Sequence, residues 1–86
     1  MTFFELVDKL GRRATARLLS EISVSQGGKP VPEPIVRRAY EGATRPSERI
    51  LDACEAVVID GKPLDRAATV VEWDRRRSEW KAKQAT

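Results

Sequence analysis

The chain has 86 residues, a formal net charge of +3, and 41% hydrophobic and 34% charged residues. This length allows a single domain, because domains usually hold about 100 to 150 residues, and the apolar content is too high for a disordered polymer. The lone cysteine, Cys54, excludes an internal disulfide, and the absence of histidine excludes a zinc cluster and nucleophile–histidine catalysis.

The same features bear on the compartment. No stretch approaches the roughly 18 consecutive apolar residues that indicate a membrane-spanning helix. The first residues carry acids at Glu5 and Asp8 and lack a basic start, so they do not resemble a signal peptide. Together with the single cysteine, these observations predict a cytoplasmic protein without a membrane partner.

The first predicted helix runs from Thr2 to Leu10. Thr2 and Glu5 have the T-x-x-E spacing of a capping box, in which each side chain bonds to the backbone of the other residue. Gly11 is placed to end the helix in the left-handed conformation.

The second predicted helix runs from Arg12 to about Ile22, with Ala16 and Leu19 on its apolar side. Arginines 12, 13 and 17 lie elsewhere on it. Positive charges at a helix N-terminus are unfavourable to the helix dipole, and an anionic partner would offset them.

Residues 23–34 hold two glycines and three prolines and are predicted to form a loop. The third helix is predicted from Glu33 or Pro34 to Glu41, with Val36 and Ala39 among its inner residues. Arg37 and Arg38 then point outward, and Gly42 ends the helix.

Ser47 is predicted to cap a fourth helix that runs from Glu48 to about Val58. Cys54 lies in the middle of its apolar stripe, where a buried core role is expected rather than a reactive thiol. Residues 60–63 form a second predicted turn.

Asp65 can cap a fifth helix to about Lys83, on which a narrow seam is formed by Val70, Trp73, Arg77 and Trp80. Residues 68–73 also have strand character, but the charged sequence after them favours the helix. Two roles for this helix stay open: it folds back onto the core, or it pairs with its copy in a dimer. Most of the Arg75–Arg77 run is expected to form salt bridges within the helix.

Residues 4–58 resemble the Cro-like, phage-repressor type of helix-turn-helix domain. The resemblance lies in three runs: LGRRATARLL (10–19), SVSQ (23–26) and YEGATRPSERILDACEAV (40–57). Residues 27–34 are an insertion before the family's recognition helix. The fold that follows is all-α, a small helical domain of four to five helices with a helix-turn-helix core at 1–60. A C-terminal helix at 64–86, with a short flexible end, completes it, and dimerisation through this helix is one of its two open roles.

The resemblance implies binding to double-stranded DNA. Arg12 takes the place of a phosphate-contacting residue, and the turn around Arg45 places a positive charge near the duplex backbone. Arg37 and Arg38 lie on the recognition helix, where arginine can pair with guanine. The expected DNA-binding residues are Arg12, Arg13, Gln26, Lys29, Arg37, Arg38 and Arg45.

The sequence therefore predicts a small transcriptional regulator, repressor-like and of phage or prophage origin, that binds operator DNA as a homodimer. Val70, Trp73, Arg77 and Trp80 are the expected dimer or partner interface. The alternative is a protein-interaction module, such as an antitoxin or a small phage inhibitor of a host protein. No cofactor and no enzymatic activity are expected, since no carboxylate is grouped with a base, a nucleophile or a metal ligand.

Overall fold

A computed structural model describes residues 1–85 of the chain. The helices are α1 Phe3–Leu10, α2 Arg12–Ser25, α3 Glu33–Glu41, α4 Glu48–Glu55 and α5 Arg66–Gln84. Two short antiparallel strands, β1 Val58–Ile59 and β2 Lys62–Pro63, lie between α4 and α5, with Val58 opposite Pro63. The predicted small all-α fold is confirmed.

Side-chain caps fix the starts of three helices. At α1 the Glu5 N–H donates to Thr2 Oγ1, and the Glu5 carboxylate accepts from the Thr2 N–H. Ser47 Oγ accepts from the Ile50 N–H at α4, and an Asp65 carboxylate oxygen accepts from the Ala68 N–H at α5. These are the caps that the sequence predicts, and each satisfies an otherwise orphaned N–H group.

Two glycines end helices in different ways. Gly42 ends α3 as predicted, and its φ of +86° and ψ of +7° are the left-handed conformation. Gly11, between α1 and α2, also has φ +86°, but its ψ of 161° places it in a region that is open essentially to glycine alone. The prediction that Gly11 ends α1 is right, and the predicted left-handed helical geometry is wrong.

One core joins all five helices. Its members include the buried side chains of Phe3, Phe4, Leu6, Val7, Ala16, Leu19, Val31, Val36, Ala39, Ile50, Ala53, Cys54, Val57, Leu64 and Trp73. Thr15 is also fully buried, and its hydroxyl has no hydrogen-bond partner within the described residues. Cys54 lies in this core as expected.

Two predicted helix ends are wrong. α2 continues past Ile22 to Ser25, and α4 ends at Glu55, before the predicted Val58. After α4 the chain enters the hairpin, whose tip residues Asp60 and Gly61 have φ +54° and +77°. Positive φ at both tip positions is the requirement of the tight hairpin turn that an Asp-Gly pair favours. The turn was predicted and the strands beside it were not.

The C-terminal helix α5 folds back onto the core, which is one of its two predicted roles. The Phe3 N–H donates to Thr69 Oγ1 (3.2 Å), and the Asp65 N–H donates to the Met1 carbonyl (2.8 Å). Residues 68–73 are helical, so the strand alternative is wrong. The predicted division at residues 60–64 therefore separates two segments that share one core. Of the predicted flexible end, Thr86 lies outside the described residues.

Candidate nucleic-acid interface

The arginines of this chain fall into two groups. The four that follow residue 60 are Arg66, Arg75, Arg76 and Arg77, and all four are held by carboxylates or carbonyls of the chain itself. Of the seven that precede it, Arg12 alone forms an ion pair within residues 1–85. The N-terminal arginines therefore keep their hydrogen-bonding capacity for another molecule.

The start of α2 concentrates positive charge. Arg12, Arg13 and Arg17 line one shallow depression, together with Glu33 at the start of α3. The first turn of α2 has no acidic residue and no side-chain cap, so its free N–H groups add to the positive potential. Arg12 Nε lies 3.7 Å from Glu33 Oε1, and both side chains remain partly exposed. A longer contact of this kind in water stabilises little and can be exchanged for another anion.

Two further arginines lie on α3. Val36 and Ala39 are buried, so that Arg38 is exposed and Arg37 is half-buried at the side of the helix. Glu33, Arg37 and Glu41 are spaced by four residues, so they lie along one line of the helix. Arg37 thus lies one turn beyond the residue that Arg12 contacts. We call Arg12, Arg13, Arg17, Arg37 and Arg38 the basic face.

Three other predicted DNA-binding residues lie apart from the depression at α2. Arg45 is exposed in the turn between α3 and α4. Gln26 caps the end of α2, and Lys29 follows it in the loop; each lines a depression with Arg49 and not with Arg12. The structure therefore groups the arginines at the start of α2 and places Gln26 and Lys29 on a different part of the surface.

Sequence reasoning missed two arginines. Arg17 was left out of the predicted site, although its spacing of four residues from Arg13 placed both on one side of α2. Arg49 is exposed on α4, and its side chain covers Gly28, where an added Cβ would lie 2.8 Å from Arg49 Cδ. No local signal in the sequence indicated this contact, since the two residues are brought together by the packing of the loop on α4.

The arginines of α5 hold the fold together. The Arg76 guanidinium lies 4.4 Å from the ring centroids of both Phe4 and Tyr40, and it donates to the Tyr40 carbonyl (3.0 Å). Arg77 donates to the Ala43 carbonyl (2.6 Å). Contacts between a guanidinium and two aromatic faces stabilise a partly desolvated site. These groups are engaged and are not part of the basic face.

The predicted salt bridges within α5 are confirmed. Arg75 contacts Glu72 (2.7 Å) and Glu79 (2.5 Å), and Arg76 contacts Glu72 (2.9 Å). The hydrogen bond from Arg75, supported by Arg76, lowers the pKa of Glu72 to about 2. The Glu72 carboxylate is therefore charged throughout the physiological range.

The four seam residues, predicted to form a dimer or partner interface, mostly contact their own chain. Trp73 is buried and its Nε1–H donates to the Thr44 carbonyl (3.0 Å). Arg77 lies over the Trp73 and Trp80 rings, at 5.9 and 5.0 Å from their centroids. Val70 and Trp80 are half-buried. Trp73 could contact a second chain only by leaving its own core.

Three other properties concern the Cys54 thiol, metal-binding groups and membrane-spanning helices. Burial raises the pKa of the Cys54 thiol to about 12, with a smaller contribution from Glu55. In the described part of the chain, no three acidic or cysteine side chains are grouped so that they could hold a metal ion. Across residues 1–85, no helix combines the length and the apolar character needed to cross a membrane.

Comparison with protein-family models, with curated proteins and with solved structures finds no match for this chain. The resemblance to the Cro-like family therefore stays a prediction, which depends on the quoted sequence runs alone.

Proposed function

We propose that this chain is a DNA-binding regulator that attaches to duplex DNA through the basic face. The observation that carries the proposal is the contrast between the two groups of arginines. Around Arg66 and Arg75 the chain pairs each guanidinium group with two or more carboxylates. On the basic face it leaves four of five without a partner among the described residues.

The chemistry of these groups suits a phosphate backbone. A guanidinium donates two parallel hydrogen bonds to a phosphate, and it is more weakly hydrated than an ammonium group. The free N–H groups at the start of α2 add donors of the same polarity beside Arg12 and Arg13. Two packed helices that carry such groups can contact the backbone of a duplex.

Within this proposal the arginines of α2 and of α3 have different roles. Arg12, Arg13 and Arg17 contact phosphates and set the affinity and its salt dependence. Arg37 and Arg38, on α3, approach base edges and provide sequence preference. The protein acts by occupying its site and performs no chemistry. A repressor-like role as a homodimer on two half-sites is part of the same prediction, and its interface must use surface other than Trp73.

The direct test is binding to a random-sequence duplex two helical turns long, followed by fluorescence anisotropy at low and high salt. Three to five phosphate contacts predict a loss of affinity of roughly 40- to 500-fold between about 50 and 200 mM salt. No binding at low salt would refute the proposal. The change Lys62→Gln is the control, since it removes one exposed charge on β2, away from the basic face.

Sequence preference is tested separately. A selection from random duplexes with the intact protein should yield a preferred sequence. The double change Arg37→Ala and Arg38→Ala should remove that preference and retain salt-sensitive binding. Survival of the preference would show that α3 is not the recognition helix.

One observation favours the alternative function, protein binding. A small apolar depression, which we call the dimple, lies beside loop 26–32 and is lined by Pro30, Pro32, Ile35 and Ile50. None of the α2 arginines lines it. A protein partner there would be compatible with DNA on the basic face.

A further inference from the structure

Loop 26–32, which links α2 to α3, is longer than a helix-turn-helix turn requires and is held rigidly. Val31 is buried, and Ser20 Oγ donates to its carbonyl (2.9 Å) while accepting from its N–H (2.7 Å). The buried Ser23 donates its hydroxyl to the Lys29 carbonyl (2.8 Å) and accepts the Gly28 N–H at its own carbonyl (2.8 Å). Two serines of α2 therefore fix the path of this loop.

The loop presents apolar groups to solvent at the same time. Pro30 and Pro32 are exposed, and Ile35 at the start of α3 is half-buried. With Ile50 of α4 they line the dimple, which has a volume of about 160 Å³. Drug-sized ligands occupy pockets of about 300–1,000 Å³, so this space fits one apolar side chain of a partner.

Two cations stand at the edge of the dimple. Lys29 reaches it from the loop, and Arg49 reaches it from α4. Neither side chain has a hydrogen bond or an ion pair with any part of the chain that the structure describes. An occupant that places carboxylates next to an apolar side chain would match these two cations in charge.

We infer that the dimple is a docking site for an acidic peptide segment of a partner protein, with one apolar anchor residue between carboxylates. The anchor enters between Pro30, Pro32 and Ile35, and the carboxylates pair with Lys29 and Arg49. Because the loop is fixed before binding, this chain loses little conformational entropy when the segment docks. This inference does not depend on DNA binding, since it uses a surface distinct from the arginines at the start of α2.

The test uses the intact chain and a short synthetic peptide with one leucine between two pairs of glutamates. Nitrogen-15 NMR titration should shift the amides of Val31, Ile35 and Ile50. Arg49→Gln should weaken binding about tenfold, the effect of removing one charged hydrogen bond. Lys29→Gln, in an exposed loop position, should act in the same direction without affecting the fold. Lys62→Gln should leave peptide affinity unchanged.

Two control peptides separate the contribution of the carboxylates from that of the apolar anchor. Lysine in place of the glutamates should abolish binding, and glycine in place of the leucine should weaken it strongly. Equal binding of the lysine and glutamate peptides, shifts confined to other residues, or no binding of the glutamate peptide would overturn the inference. Displacement of the peptide by duplex DNA would also overturn it, because the dimple would then belong to a nucleic-acid surface.

Discussion

Gly42 is the position at which the docking of α5 can be tested most sharply. Its φ of +86° favours glycine, and a Cβ added there would lie 2.5 Å from the carbonyl carbon of Arg76 and 2.6 Å from its oxygen. Both atoms belong to the backbone of α5 and cannot rotate away. Ordinary contact begins at 3.4 Å, so Gly42→Ala must push this part of α5 outward by nearly 1 Å.

The expected loss has two parts. The left-handed conformation costs an L-residue about 1–2 kcal/mol. Displacement of α5 also weakens the bonds from Trp73 to Thr44 (3.0 Å) and from Arg77 to Ala43 (2.6 Å). Partial loss of two such bonds adds about 1–3 kcal/mol. We therefore expect Gly42→Ala to lower the free energy of unfolding by about 2–5 kcal/mol.

Gly27→Ala is the matched control. Gly27 follows the end of α2 as Gly42 follows α3, and it has φ +83°, but no atom of residues 1–85 lies within 4 Å of an added Cβ. It should lose only the conformational part, about 1–2 kcal/mol. Urea unfolding followed by tryptophan fluorescence measures the difference, because both tryptophans lie on α5. Equal losses for the two variants would refute the close seating of α5 on Gly42.

Three further predictions follow from buried or paired groups. Thr15→Val should raise the free energy of unfolding by about 1–3 kcal/mol, because it removes an unsatisfied buried hydroxyl. Thr69→Val should lower it by a similar amount, because the Phe3 N–H loses its acceptor. Urea titration of each variant shows whether the free energy of unfolding rises or falls. Cys54, with a pKa of about 12, should resist a thiol reagent at pH 9 in the native protein and react after denaturation; rapid native labelling would contradict its burial. Glu72 has a folded pKa of about 2 against an ordinary 4.5, so its contribution to stability is complete above pH 4.5 and is lost as pH falls toward 2. Stability measured over that window should fall less for Glu72→Gln than for the unchanged chain.

Local sequence signals predicted much of the fold. The caps at Thr2, Ser47 and Asp65 and the stop at Gly42 use neighbouring residues, so they can be identified before any tertiary contact is known. The end of α4 could not be found in this way. Val57 continues the apolar stripe of α4, but it is buried after the helix has ended, where the chain turns into the hairpin.

The role of the Trp73 seam was only half predictable. Its helical spacing identified the correct side of α5, but its partners are carbonyls of Ala43 and Thr44, about thirty residues earlier in the chain. The sequence pattern of an apolar seam is the same whether the seam packs against the core of its own chain or against a second copy of the chain. Arg76 shows the same limit, since its contacts with Phe4 and Tyr40 depend entirely on tertiary packing.

The candidate site was predictable where it depends on helical periodicity and not where it depends on the path of a loop. Arginine spacing on α2 and α3 follows from helical periodicity, so the exposure of Arg12, Arg13 and Arg38 could be predicted, whereas Arg37 is half-buried. The position of Lys29 depends on how loop 26–32 folds back along α2, through bonds from Ser20 and Ser23. The sequence predicted a loop here from its glycines and prolines but gave no indication of its path.

The salt dependence of duplex binding tests the central claim most directly, namely that the arginines of α2 are free to contact phosphates. The slope of log K against log salt should be steep in the unchanged protein. The double change Arg13→Gln and Arg17→Gln should make it shallower by about 1.8, the value for two phosphate contacts. The control pair Lys62→Gln and Lys81→Gln removes the same charge elsewhere and should leave the slope unchanged. Equal changes of slope in both pairs would show that net charge alone drives binding and would contradict a defined basic face.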